Sequence, residues 1–214
     1  MTLQEKLDIE CSIPKIIGIT GYIGSGKSIV SRILRCNGFS VYDCDSAAAW
    51  LMNNDISVKQ QLIEILGEKC YQINGMLDRI YVSKIIFGDD NMRMRINSIV
   101  HKAVSNDFKQ FVENKTDKVF IESAILATSG LYKVCNEIWI VDAPENIRLL
   151  RVMERNHFSE QEVRKRMLAQ KDELIGLPED KIIVIENDGY REILEKIITL
   201  LYSTKCQLEY SFNL

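Results

Sequence analysis

The sequence predicts an α/β domain: a five-stranded parallel sheet with helices on both faces. Three observations carry that expectation. Short apolar runs rich in β-branched residues, at 15–20, 38–43, 118–123, 137–143 and 182–187, alternate with helix-forming stretches. Continuous apolar strands separated by helices fit a parallel sheet covered on both sides, with ligands taken at the carboxyl ends of the strands. The first run, KIIGIT, leads directly into a glycine-rich turn, and the turn into a helix from about Lys27. That turn, GYIGSGKS at 21–28, fits G-x-x-x-x-G-K-[ST] in the strand, loop and helix order the pattern requires.

Each part of the turn has a physical reason. Gly21, Gly24 and Gly26 let main-chain N–H groups close on an anion, and the helix that follows points its positive end at the same place. Lys27 would reach the β- and γ-phosphates, and the Ser28 hydroxyl would complete the coordination of a Mg²⁺ ion. The reading is a nucleoside triphosphate site on a P-loop NTPase fold.

Further along, GFSVYD is the second strand and ends in Asp43-Cys44-Asp45. Residues 46–53 and much of 56–66 are helix-forming, Asn74-Gly75 suits a small hairpin, and a long helical region runs from about 79 to 112 with a break near Gly88. Pro144 opens an arginine-rich helix, and Ser159 to Glu162 has the form of a capping box. Gly176-Leu177-Pro178 breaks the helix that follows, and residues 190–202 form a closing helix. The helical stretch between the second and third strands exceeds what a crossover needs, which suggests an inserted, substrate-covering subdomain.

Composition narrows the function classes. The chain has 214 residues and a net charge of −3, which argues against a broad nucleic-acid or membrane surface. Its six cysteines are scattered without C-x-x-C spacing and there are two histidines, so a zinc site is not expected and cytoplasmic reduced thiols are. No run approaches the length of a membrane span, and residues 1–14 read as a leader without a signal-peptide layout.

A phosphate loop alone leaves switch, motor and kinase open. Asn114-Lys115-Thr116-Asp117 spells the guanine-reading N-K-x-D, but it precedes a strand rather than following one, and no D-x-x-G accompanies it. The kinase reading rests on three features. Asp43 and Asp45 end the second strand at the ligand crevice, where a carboxylate could orient an acceptor hydroxyl and take its proton; one of the pair is expected to be a helix cap instead. Arg148, Arg151, Arg155, Arg164 and Arg166 lie between the fourth and fifth strands. Arg151 and Arg155 share a helix face, and such charge could serve a lid over triphosphate, while about half of the five suit a solvated face with salt bridges to Glu154, Glu160 and Glu162. The helical insert is the third feature, suited to a sizeable acceptor.

In joint order these pieces resemble the dephospho-CoA kinase family, the last enzyme of coenzyme A synthesis, over about 15–201. GYIGSGKS followed by Asp43-Cys44-Asp45 is similar to the family's loop and D-A-D, LDRIYVSKIIF at 77–87 to its L-x-R segment, and 96–101 to the stretch ending in His-Pro. Arg151-x-x-x-Arg155, Arg166-x-x-x-Gln170 and Asn187-x-Gly189 are similar to lid and nucleotide elements. The resemblance implies transfer of phosphate from ATP, with Mg²⁺, to the ribose 3′-hydroxyl of dephospho-CoA. It implies Asp45 as proton acceptor, Lys27 and Arg151 as catalytic cations, and Gly24, Ser25, Gly26, Lys27, Ser28 and Ile29 around the ATP phosphates. Arg155 would join the nucleotide site, Asn187 and Gly189 would lie near adenine, and Asp43, Arg79 and His101 would serve the acceptor.

The implied domain plan is a kinase domain at 15–205, with core 15–53 and 117–204, an acceptor subdomain at about 54–116, a lid at about 151–175, and a tail at 206–214. A monomer or weak homo-oligomer acting on a small molecule is expected. The chain departs from the family at Tyr22 (usually glycine), Ile29 (threonine), Lys102 (proline) and Thr128, where a glutamate is usual and Glu122 is a nearby substitute. A kinase for another small acceptor, such as a nucleoside monophosphate, and a nucleotide-binding switch module are the competing readings.

Overall fold

The structure, a computed structural model, describes residues 14–209, with side chains through 202. Five strands, β1 (Ile16–Thr20), β2 (Ser40–Asp43), β3 (Val119–Glu122), β4 (Glu137–Asp142) and β5 (Ile182–Glu186), form one sheet in the order β2-β3-β1-β4-β5. β1 pairs in parallel with β3 (Ile17 opposite Phe120) and with β4 (Ile19 opposite Trp139), and β4 pairs in parallel with β5 (Val141 opposite Ile185). The expected parallel α/β sheet is what forms.

Helices fill the connections: α1 (Lys27–Cys36), α2 (Cys44–Asn54), α3 (Ile56–Leu66), α4 (Arg79–Ile86), α5 (Asp90–Val112), α6 (Glu145–Asn156), α7 (Glu160–Ala169) and α8 (Ile193–Glu209). The helices between β2 and β3 belong to a second compact unit, residues 42–115, while residues up to 41 and from 116 onward form the first. The leader lies outside the described residues except for Pro14, as does the tail beyond 209. Cys36, Cys44, Cys70 and Cys135 form no disulfide with one another, and Cys11 and the Cys206 side chain fall outside the described residues.

The period-2 pattern of the strands decides which face meets which neighbour. Ile17, Ile19, Phe120, Trp139, Val141 and Ile185 are buried together with Val30 and Leu34 of α1 and Ile197 and Leu201 of α8. Each helix contributes residues four apart, one turn above the other on a single face. Gly18 points the opposite way, and a Cβ there would meet Leu126 at 2.7 Å and Cys135 at 3.0 Å. That part of the second face is therefore covered by the connection after β3, which contains a 3₁₀ turn at Leu131–Val134, instead of by an α-helix.

The second unit has its own core, with Val58, Leu62 and Leu66 of α3 buried against Cys70, Val82 and Ile96. Its hairpin forms as Asn74-Gly75 suggests: Tyr71 bridges Leu77 antiparallel, and Gln72 N donates to Met76 O at 2.9 Å. The long helical region divides at Gly88, whose φ of 83° ends one helix before Asp89 caps the next through Met92 N. The capping box is present, with Ser159 and Glu162 exchanging hydrogen bonds at the start of α7.

β1 and β4 are tied at their starts by side chains. Ile16 N donates to Asn136 Oδ1 at 2.8 Å, and Glu137 accepts from Lys15 Nζ at 2.7 Å and Trp139 Nε1 at 2.6 Å. Burial pushes the Glu137 pKa up, but the bonds from Lys15 and Trp139 and the charges of Lys15 and Lys118 outweigh it, and the net shift is down. A depressed carboxyl pKa adds stability above the unfolded value and loses it as pH falls through the folded one. Glu137→Gln should therefore cost about 1 kcal/mol at pH 7, and thermal melts against pH should show that difference vanishing below the ordinary carboxylate range.

Candidate active site

The turn after β1 is closely approached from three directions, by two backbone carbonyls and one side-chain amide. A Cβ on Gly21 would meet the Val141 carbonyl oxygen of β4 at 2.2 Å. One on Gly24 would meet the Arg148 carbonyl oxygen of α6 at 2.6 Å, and one on Gly26 the Asn187 amide nitrogen at 2.1 Å. Gly24 (φ 80°) and Gly26 (φ 103°) also adopt backbone angles that disfavour any side chain. Gly26 is the N-cap of α1 and makes no side-chain cap bond, so the helix presents its first amides at the loop. Such a curl of N–H groups ahead of a helix N-terminus is an anion cradle.

Side chains converge on the same loop. Lys27 Nζ donates to Gly21 O at 2.7 Å and Tyr22 O at 3.3 Å, which holds the ammonium over the loop. Arg151 of α6 places its guanidinium at Gly24 O (3.4 Å) and Ser25 O (3.5 Å). Asn187, buried just beyond β5, donates through Nδ2 to Ser25 O at 2.7 Å, and its N–H is fixed by Asp142 O at 2.7 Å. Gly189 lies 3.8 Å from the Arg151 guanidinium, measured from an ideal Cβ. The pKa of Asp188, between them, is held low by backbone bonds from Tyr190 and Arg191, with Arg151 adding to the effect. Gln170, behind α7, accepts the Ile23 N–H at 2.8 Å.

A family model described as dephospho-CoA kinase (CoaE) matches residues 15–192. The chain belongs to the dephospho-CoA kinase family. A dephospho-CoA kinase of Porphyromonas gingivalis is 45% identical over 158 residues, 73% of this chain and 78% of that one. Another, of Carboxydothermus hydrogenoformans, is 34% identical over 197 residues, 89% of this chain and 94% of that one. Among solved structures, a Thermus thermophilus protein matches with TM-score 0.76 at 31% identity, over 90% of this chain and 98% of that one. A dephospho-CoA kinase from Campylobacter jejuni has the same fold, with TM-score 0.61 at 18% identity over 88% of this chain and 98% of that one.

The residues expected from family resemblance fall into separate groups. Gly24, Ser25, Gly26, Lys27, Arg151, Asn187 and Gly189 are gathered at the loop through the contacts above. Ser28 and Ile29 follow on the first turn of α1, both exposed. Arg155 is also exposed, and its Nε donates to Asn156 Oδ1 at 2.9 Å, away from the carbonyls that Arg151 contacts. In the helical unit, Asp43 caps α2, accepting from Asp45 N at 3.1 Å, Ser46 N at 3.0 Å and Ser46 Oγ at 2.9 Å. Asp45 stands exposed on the first turn, so the pair divides into a cap and an outward carboxylate.

Arg79 opens α4 and His101 lies within α5. Lys102 borders a cleft of about 330 Å³ in this unit, together with Asp55, Gln61, Asn106 and Gln110, and none of the expected acceptor residues lines it. Two contacts were invisible in the sequence: Thr128 Oγ1 donates to Glu173 Oε2 at 2.8 Å, and the Arg148 guanidinium lies 5.1 Å from the centroid of the Tyr22 ring. Each joins residues that no short motif relates.

The Asn187 side chain supports the loop through its bond to Ser25 O. Asn187→Ala removes the bond to Ser25 O and should weaken binding about tenfold. Competition assays should show the same loss for ATP and for inorganic tripolyphosphate; a loss confined to ATP would mean that the side chain acts on the base alone.

Proposed function

We propose that this chain transfers the γ-phosphoryl group of ATP to the ribose 3′-hydroxyl of dephospho-CoA, giving CoA and ADP. Family membership supplies the reaction class, and the observation that carries the reading is the backbone cradle at 21–28 with Lys27 and Arg151 already on it. Phosphoryl transfer asks little covalent chemistry of a protein; it asks for positioning and for charge on the equatorial oxygens.

In this reading the stretch from Gly24 to Ile29 wraps the phosphate chain, and Lys27 exchanges loop carbonyls for β- and γ-oxygens. Arg151, within one side chain's swing of the loop, clamps the transferring group. Asn187 and Gly189 border the nucleoside, and Arg155 approaches the nucleotide only if its side chain leaves Asn156. Asp45 takes the proton of the acceptor hydroxyl as the bond to phosphorus forms, while Asp43 keeps the first turn of α2 in place. Arg79 and His101 contribute to the acceptor side, and the helices of 54–116 form the acceptor subdomain, with 151–175 as the lid.

The residues present suit Mg²⁺. Ser28 offers an exposed hydroxyl at the loop, a hard oxygen donor of the kind Mg²⁺ takes alongside phosphate oxygens and water. Bound there, the ion would neutralise charge building on the β- and γ-oxygens. We further propose a cytoplasmic monomer or weak homo-oligomer that acts on small molecules and not on nucleic acid or membrane. The acidic balance and scattered cysteines support that, and no helix among the described residues is long and apolar enough to cross a membrane.

An ADP-release assay with dephospho-CoA, nucleoside monophosphates, shikimate or water alone tests the reading. Stimulation by dephospho-CoA is expected; stimulation only by another acceptor, or by none, would overturn it. Asp45→Asn should keep Mg·ATP affinity and lose about 100-fold to 10,000-fold in kcat, and unchanged turnover would return Asp45 to a structural role.

A further inference from the structure

We propose that Tyr22 is a positioning residue that braces the outer limb of the phosphate loop between α6 and the segment behind α7, so that nucleotide affinity depends on it. The inference rests on the loop being the ATP site. Tyr22 is part of the loop's own bonding: its carbonyl accepts Ser25 N at 3.1 Å and Lys27 Nζ at 3.3 Å. Any shift of Tyr22 therefore moves both the turn and the lysine. Its side chain reaches outward to two anchors. The guanidinium of Arg148 lies 5.1 Å from the ring centroid, within cation–π range, and the hydroxyl donates to Lys171 O at 3.3 Å.

Both anchors are themselves held. Arg148 Nε donates to Ala143 O at 2.9 Å, which fixes the guanidinium against the end of β4. The 170–173 segment is held from two sides, by Ile23 N on Gln170 at 2.8 Å and by Thr128 Oγ1 on Glu173 at 2.8 Å. Tyr22 is not there to fill a core. The adjacent Ile23 packs on the buried cluster of Leu149, Val152 and Val163, and Tyr22 is not part of that cluster. Its ring instead borders a cleft of about 510 Å³, walled by Arg148, Arg164, Met167 and Lys171 among others. A smaller side chain at 22 would leave the fold standing and the loop limb unbraced.

Calorimetric titration of the whole chain with Mg·ATP, without acceptor, tests this. Tyr22→Leu should weaken binding about fivefold and Arg148→Met about threefold, the range of a partly exposed cation–π contact. The double variant should bind no more weakly than Tyr22→Leu alone, because the two substitutions remove one shared contact. Tyr22→Phe, which keeps the ring, should stay within about twofold, and melting temperatures should barely change. Affinity of Tyr22→Leu within twofold of the parent, losses that multiply in the double variant, or a melting temperature that falls in step with affinity would each overturn the proposal. Because no acceptor is present, such a failure leaves the dephospho-CoA assignment intact. Failure of the parent chain to bind Mg·ATP would instead remove the kinase reading, and this inference with it.

Discussion

Everything at the site depends on a steric constraint: the loop after β1 runs so close to its neighbours that three of its positions admit no side chain. The Val141 carbonyl, the Arg148 carbonyl and the Asn187 amide each stand within 2.6 Å of where a Cβ would be. These walls come from β4, from α6 and from the residue after β5, and the parallel order β1-β4-β5 puts all three at the same end of the sheet. The sheet is thus the device that compresses the loop, and its apolar core is what makes the compression rigid. A loop so confined pays little further ordering cost when an anion arrives, which is the physical meaning of preorganisation.

The charges fit the same logic. Lys27 and Arg151 both rest on loop carbonyls. Neutral carbonyls are weaker partners than phosphate oxygens, so the same cations can transfer to a triphosphate with a net gain. The contact distances of Arg151, at 3.4 and 3.5 Å, are long, and leave that side chain the freer of the two to follow a phosphoryl group. Arg148, three residues earlier on the same helix, is committed instead to Ala143 and Tyr22. One helix thereby sets one cation on the loop carbonyls and another on the loop's tyrosine.

Much of this was readable from local pattern. The strand boundaries, the break at Gly88, the hairpin at Asn74-Gly75 and the capping box at Ser159 follow from residues within a few positions of one another, where chain geometry leaves few choices. The phosphate loop was legible for the same reason. What spacing could not settle were contacts made across the fold. Arg151 and Arg155 share a helix face by periodicity, yet Arg151 meets the loop and Arg155 meets Asn156. The Asn187 bond to Ser25 spans 162 residues, and that between Tyr22 and Lys171 spans 149. The closing helix starts at Ile193, later than its apolar pattern suggests, because Asp188 first captures the N–H groups of Tyr190 and Arg191 in a turn. Spacing likewise does not decide which of Asp43 and Asp45 caps α2; two backbone amides point at Asp43.

The most direct test of the central claim is calorimetric titration of the Gly26→Ala variant with Mg·ATP, beside a thermal melt. A methyl group at that position would strike the Asn187 amide and force a backbone angle that alanine disfavours. The account predicts a folded protein with no measurable nucleotide binding. Binding at the affinity of the parent chain would contradict it, since the anion would then be held by something other than this compressed turn.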